Sequence, residues 1–283
     1  MDTRTQKTEP SRPKSLTQRL GLYVLFLACG LLVFIVSYFT PGELNVQTFW
    51  VPSLFLVVAI MTRRSTRLSA YWQVFYAFFI FSVVWLFRHS VLDSSLVQPF
   101  YSTITGNVVA QLVDSTMVIG PIVLLTFASR ANLASIFLRR GNLRLGLPVG
   151  LAVLAIFYML TAVIATTIAG MSPGFFLFLT PYLLILAVAN GFKEELWFRG
   201  LFLSKYETIL GVRLSNFIQA AIFAASVVEA EFSSILLGFT LVSFFLGLGL
   251  GYLMRRTGSI FGSSLCEAGA TIPIFLMVLS ALR

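Results

Sequence analysis

The stretch FFLFLTPYLLILAVANGFKEELWFRG, Phe175 to Gly200, passes from hydrocarbon into a knot of charge. No charged side chain occurs from Phe175 to Phe192, and Lys193, Glu194, Glu195 and Arg199 then follow at once. An uncharged run of this length suits a helix crossing the hydrocarbon core, which takes about 20 apolar residues. Helix is the default there, because lipid offers no partners to backbone N–H and C=O groups.

The rest of the chain has the same character. Of its 283 residues 58% are hydrophobic and 11% charged, and Phe alone supplies 28. The mean hydropathy is +0.90. Such a composition excludes an ordinary soluble enzyme and marks an all-α polytopic membrane protein. Further runs extend over Leu20–Phe39, Val46–Met61, Leu68–Phe87, Val108–Phe127, Leu147–Ala169, Phe217–Val228, Ile235–Met254 and Ile260–Leu282. With the one that starts near Phe175 they make nine spans, or eight if the short Phe217–Val228 does not cross. The division expected is a disordered basic tail over residues 1–19, amino-terminal helices over 20–145 and a core over 146–283.

The formal charge of +9 follows topology and not nucleic acid. Basic residues gather between alternate runs, as cytoplasmic loops do: Arg4, Lys7, Arg12, Lys14 and Arg19 in the tail, then Arg63, Arg64 and Arg67, then Arg130, Arg139, Arg140 and Arg144, then Lys193, Arg199, Lys205 and Arg213, then Arg255 and Arg256. This alternation predicts a cell-membrane protein with a cytoplasmic amino terminus and an outer carboxy terminus. Cys29 and Cys266 are the only cysteines, too few for a disulfide framework or a paired-thiol metal site.

Charges inside apolar runs cost about 2.5–3.5 kcal/mol each on insertion scales, so they are the candidates for function. They are Asp114, the cluster Glu194, Glu195 and Arg199, and Glu267. Glu195 and Arg199, four apart, share a helix face and can form a charge-assisted pair. Glu194 is rotated by about 100° from Glu195, which leaves it unpaired and suited to accept a proton. A plain cluster of loop charges is the other reading of the same spacing.

Glu194-Glu195-Leu196-Trp197-Phe198-Arg199-Gly200 resembles the first signature motif of the CAAX-protease and bacteriocin-processing family, the Abi or type II CAAX prenyl endopeptidase group of membrane proteases. Ala220-Ala221-Ile222-Phe223-Ala224-Ala225-Ser226 resembles the second motif region. Gly247 to Gly258 with Ser259-Ile260-Phe261 resembles the glycine-rich span and turn before the last one. The likeness runs from Phe175 to Thr271. It implies an intramembrane endopeptidase in which Glu194 activates water, Glu195 and Arg199 hold the geometry, and a membrane-anchored protein or peptide is the substrate. It also implies histidines that this chain lacks. Val227 stands where the second motif has His, and Glu267 and Thr271 stand where the third has His and Asn.

The one histidine, His89, sits beside Arg88 at the edge of the third run, outside the region of likeness. No cofactor is therefore expected, and the family's divalent metal lacks its usual nitrogen ligands. Glu267 and Thr271 supply a carboxylate and a hydroxyl in their place, unless Glu267 merely pairs with Arg199. Glu229 and Glu231 are assigned to an outer loop. Ser263 and Ser264 have no histidine partner for a triad. Gly247 and Gly251 read as a close helix contact, and Asp114, near Gln111 and Ser115, as a partner for a neighbouring helix or a polar path. The expected partners are the bilayer and its embedded substrate, with no nucleic acid. Two rivals stay open: an inactive family member serving as scaffold or immunity factor, and a transporter with Asp114, Glu194 and Glu267 as a proton path.

Overall fold

The computed structural model describes residues 16–39, 49–92, 97–228 and 234–282. The tail before Leu16, the start of the second apolar run, Glu229, Glu231 and the side chains of His89 and Val227 lie outside what is described. The elements are α1 (Leu16–Phe39), α2 (Trp50–Arg64), α3 (Trp72–Leu92), α4 (Ile104–Ala128), α5 (Leu143–Val163), α6 (Pro173–Glu194), a π segment (Glu195–Gly200), α7 (Leu201–Leu210), α8 (Val212–Val228), α9 (Ser234–Thr257) and α10 (Phe261–Ser280). Because α6, the π segment and α7 form one rod, the described residues make nine helical rods, one for each apolar run.

Seven of them are long and apolar enough to cross a membrane. The other two rods are α2, with 15 residues, and α8, with 17 described residues. The rod from Pro173 to Leu210 has 38 residues and runs unbroken through Asn190-Gly191, so the charge cluster sits within a helix and not in a loop.

Local chemistry sets the helix starts. Thr103 accepts from the Gly106 amide at 3.0 Å, Asn142 from Leu145 at 3.2 Å and Ser172 from Phe175 at 3.3 Å, each satisfying an N–H that the first turn leaves unpaired. Pro173 follows Ser172 at the position where its missing N–H costs nothing.

The basic connectors gather at one end. Arg139 Nε donates to Gly258 O at 2.6 Å and Arg255 Nη1 to Val212 O at 2.8 Å, tying the α4–α5, α9–α10 and α7–α8 connections together. Tyr76, at the start of α3, donates to Leu125 O near the end of α4 at 2.9 Å, which brings the α2–α3 turn to the same end. Arg199 and Lys193 do not belong to this group, being buried in the bundle.

Two layers flank the long rod. On one side α3 packs an aromatic wedge of Phe78, Phe81 and Trp85 against Trp197, Phe198, Phe202 and Tyr206 of the π segment and α7, with ring centroids 5.0–6.3 Å apart. On the other side α10, the most buried of the seven spans, is held between α5 and α6. Gly191 makes that contact possible: a Cβ there would fall 2.4 Å from Ser264 O and 2.6 Å from Ala268 N. The expected contact at Gly247 and Gly251 is present between α8 and α9, where added Cβ atoms would meet Ala220 and Asn216.

Candidate active site

The π segment, Glu195–Gly200, covers all of the motif except its first residue, Glu194, which ends α6. Such wide turns are rare and concentrate at functional sites. Here the widened turn keeps Glu195 and Arg199 together: Arg199 Nη1 donates to Glu195 Oε1, and both residues are 0% exposed. The same Nη1 lies 3.8 Å from Glu267 Oε2 of α10. The Arg199 guanidinium also stacks on Phe223 of α8, 4.3 Å from the ring centroid, a cation–π contact strengthened by exclusion of water. The arginine thus joins α6, α8 and α10.

Glu194 is half-buried. Its carboxyl faces that of Glu267 within hydrogen-bonding reach, across the close approach that Gly191 creates. Glu267 itself is 2% exposed. Glu267 thus stands beside Arg199, where a structural partner of that arginine would stand, and on the helix that faces Glu194. On the same helix Ser263 donates its hydroxyl proton to Ile260 O at 3.0 Å. Thr271 Oγ1 donates to Ala268 O at 3.0 Å, so that hydroxyl offers the site an acceptor and no free proton.

Asp114 belongs to a separate network. Lys193 Nζ lies 2.5 Å from Asp114 Oδ2 and Arg88 Nε 2.7 Å from Asp114 Oδ1, joining α3, α4 and α6. Lys193, 4% exposed, thus has its counter-ion on the opposite side of α6 from Glu195. Sequence spacing places Asp114 in a span but names neither partner. The signal available was Lys193 itself, set directly after an uncharged run, since a buried Lys requires an anion.

The donor set does not fit a divalent metal. Among the described residues no three His, Cys, Asp or Glu side chains converge, and the guanidinium of Arg199 already neutralises the space between Glu195 and Glu267. What the cluster does offer is bonding capacity. Glu195 Oε2, Glu267 Oε2 and Arg199 Nε and Nη2 are buried without a bonding partner among the described residues, where native interiors leave few polar atoms unpaired.

Residues 176–272 match the family model described as type II CAAX prenyl endopeptidase Rce1-like. The matched segment is about a third of the chain, starts and ends within a residue of the likeness read from the motifs, and contains Glu194, Glu195, Arg199, Glu267 and Thr271. Neither the curated proteins nor the solved structures gave a match.

Proposed function

We propose that this membrane protein is an intramembrane endopeptidase acting on a membrane-anchored protein or peptide, with Glu194 as the base that activates water. The observation that carries the reading is the contact of Glu194 with Glu267, two carboxyls from different spans within bonding reach at a half-buried position. Two carboxyls on neighbouring helices supply one group to take a proton and a second to return it, which is what acid–base chemistry requires.

In the reaction Glu194 takes a proton from water while the water oxygen bonds to the scissile carbonyl carbon and the carbonyl electron pair moves onto its oxygen. Collapse of that intermediate breaks the C–N bond, and the leaving nitrogen takes a proton from the carboxyl pair. One water is consumed, and an acid and an amine leave. Arg199, held by Glu195 and Phe223, fixes the rod against α10 and so sets the separation of the two carboxyls. Glu267 stands in for the missing imidazole. No step calls on a metal.

The absence of the motif histidines favours a second reading, an inactive member acting as a membrane scaffold or immunity factor. A proton-coupled transporter loses support, because Asp114 is bound by two cations and is poorly placed to pass a proton on. The basic end of the bundle supports a cytoplasmic amino terminus and an outer carboxy terminus in the cell membrane.

The test is incubation of the purified protein with candidate membrane peptides, read by mass spectrometry. Cleavage by the wild type that is insensitive to a chelator and lost in Glu194→Gln supports the reading. Cleavage that survives Glu194→Gln removes the base, and no cleavage by the wild type leaves the scaffold.

A further inference from the structure

One turn before Glu194, on nearly the same face of α6, stands Asn190, 6% exposed. Both α4 and α10 pack on α6, yet they make at most marginal contact with each other. Each of them meets α6 along a different direction. Gly191 marks the α10 side through Ser264 and Ala268, and Lys193 marks the α4 side through Asp114. On a helical wheel Glu194 falls between those two directions and Asn190 falls close to it.

The direction of the Asn190 amide can be deduced from a carbonyl. Ser115 Oγ lies 3.3 Å from the backbone oxygen of Ala189, which can only accept, so the Ser115 proton is committed there. Ser115 Oγ must then accept from its other neighbour, Gln111, which presents Nε2 at 3.3 Å. The same Nε2 donates to Asn190 at 3.4 Å, and the atom receiving it must be Oδ1. That turns Nδ2, which donates to no partner among the described residues, away from Gln111 and α4.

We propose that Asn190 is a further catalytic residue of the peptidase reading, on which this inference rests: its Nδ2 donates to the substrate carbonyl oxygen as negative charge builds there, and Gln111 is the positioning residue that holds it. The substrate is an extended peptide segment lying between α4 and α10, its scissile carbonyl between Asn190 and Glu194. No bond of Asn190 itself forms or breaks. The neighbouring Glu194–Glu267 pair handles protons, and the amide handles charge.

The experiment measures kcat and KM on a membrane peptide that the wild type cleaves, for Asn190→Ala, Asn190→Asp, Gln111→Glu and Glu194→Gln, with detergent melting curves for each. Loss of an oxyanion donor lowers kcat by about 100- to 1,000-fold with KM unchanged, and this is expected for both Asn190 variants. Asn190→Asp is nearly isosteric, so it separates a lost donor from a lost fold. Gln111→Glu presents only acceptors, draws the Asn190 amide round toward itself and lowers kcat without touching substrate. Wild-type kcat in Asn190→Ala and Asn190→Asp, with Glu194→Gln inactive, overturns this assignment and leaves the peptidase reading standing. A wild type that cleaves nothing overturns both.

Discussion

Arg199 Nη1 lies 3.8 Å from Glu267 Oε2 while bonding to Glu195 on its own rod, so a single guanidinium couples the motif helix to the last span. Glu267 faces Glu194 as well, which places it at the junction of charge and chemistry. Glu267→Gln keeps the shape but removes the ionisable proton, and cleavage is expected to fall by about 10²- to 10⁴-fold, the usual weight of an acid–base group. The measurement is peptide cleavage alongside detergent melting. A fall in activity at an unchanged midpoint assigns Glu267 to proton transfer, and wild-type turnover removes it from the mechanism.

The Glu195–Arg199 pair is expected to matter for folding before catalysis. Both side chains are fully buried, and deleting one partner of such a pair strands the other, at about 3–5 kcal/mol. Glu195→Ala should therefore lower the melting midpoint sharply. The double variant Glu195→Leu with Arg199→Met removes both charges and should recover most of that loss. A double variant as unstable as Glu195→Ala would mean that the cost lies in packing.

The sequence made most of the spans legible because lipid demands long uncharged runs: among the described residues each run holds a helix, and seven, where eight or nine were expected, are long and apolar enough to cross. It also made the Glu195–Arg199 pair legible, since four residues along a rod bring two side chains to one face. The π turn was not legible: spacing assumes a uniform helix, and nothing in Glu-Leu-Trp-Phe-Arg-Gly states that its hydrogen bonds run one residue longer. The partners of Lys193 were hidden too, since Arg88 and Asp114 come from other helices and only tertiary packing brings them together. Glu267 was recognisable as out of place in lipid, but its contact with Glu194 depends on a backbone approach at Gly191.

Asp114 gives a third expectation. It is the anion between Lys193 and Arg88, and Asp114→Asn leaves a buried ammonium without a counter-ion. The variant should unfold at a markedly lower temperature, with a loss of about 3–5 kcal/mol. A transporter that moves protons through Asp114 would instead lose proton flux in vesicles. Measuring both separates the roles: a large melting shift with no proton flux in the wild type fits a structural anion, and wild-type flux that the substitution suppresses restores the transport reading.

Gly191 provides the most direct link between packing and chemistry. A methyl group there would sit 2.4 Å from Ser264 O and 2.6 Å from Ala268 N, both main-chain atoms, so no rotamer change can make room. Gly191→Ala must push α10 away from α6. Because Glu194 rides on one helix and Glu267 on the other, the same displacement parts the carboxyl pair, and misplacement by about 1 Å can lower a rate 10²-fold. Ala is otherwise the better helix former, by about 1 kcal/mol, so the backbone alone would gain from the change. Gly191→Ala is therefore expected to lose cleavage by about two orders of magnitude together with some thermal stability. Gly249→Ala is the control, since a Cβ there meets nothing within 4 Å and should leave turnover intact. Full activity in Gly191→Ala would show that the reaction does not depend on the approach of α10 to α6, and the carboxyl pair would then lose its place as the centre of the site.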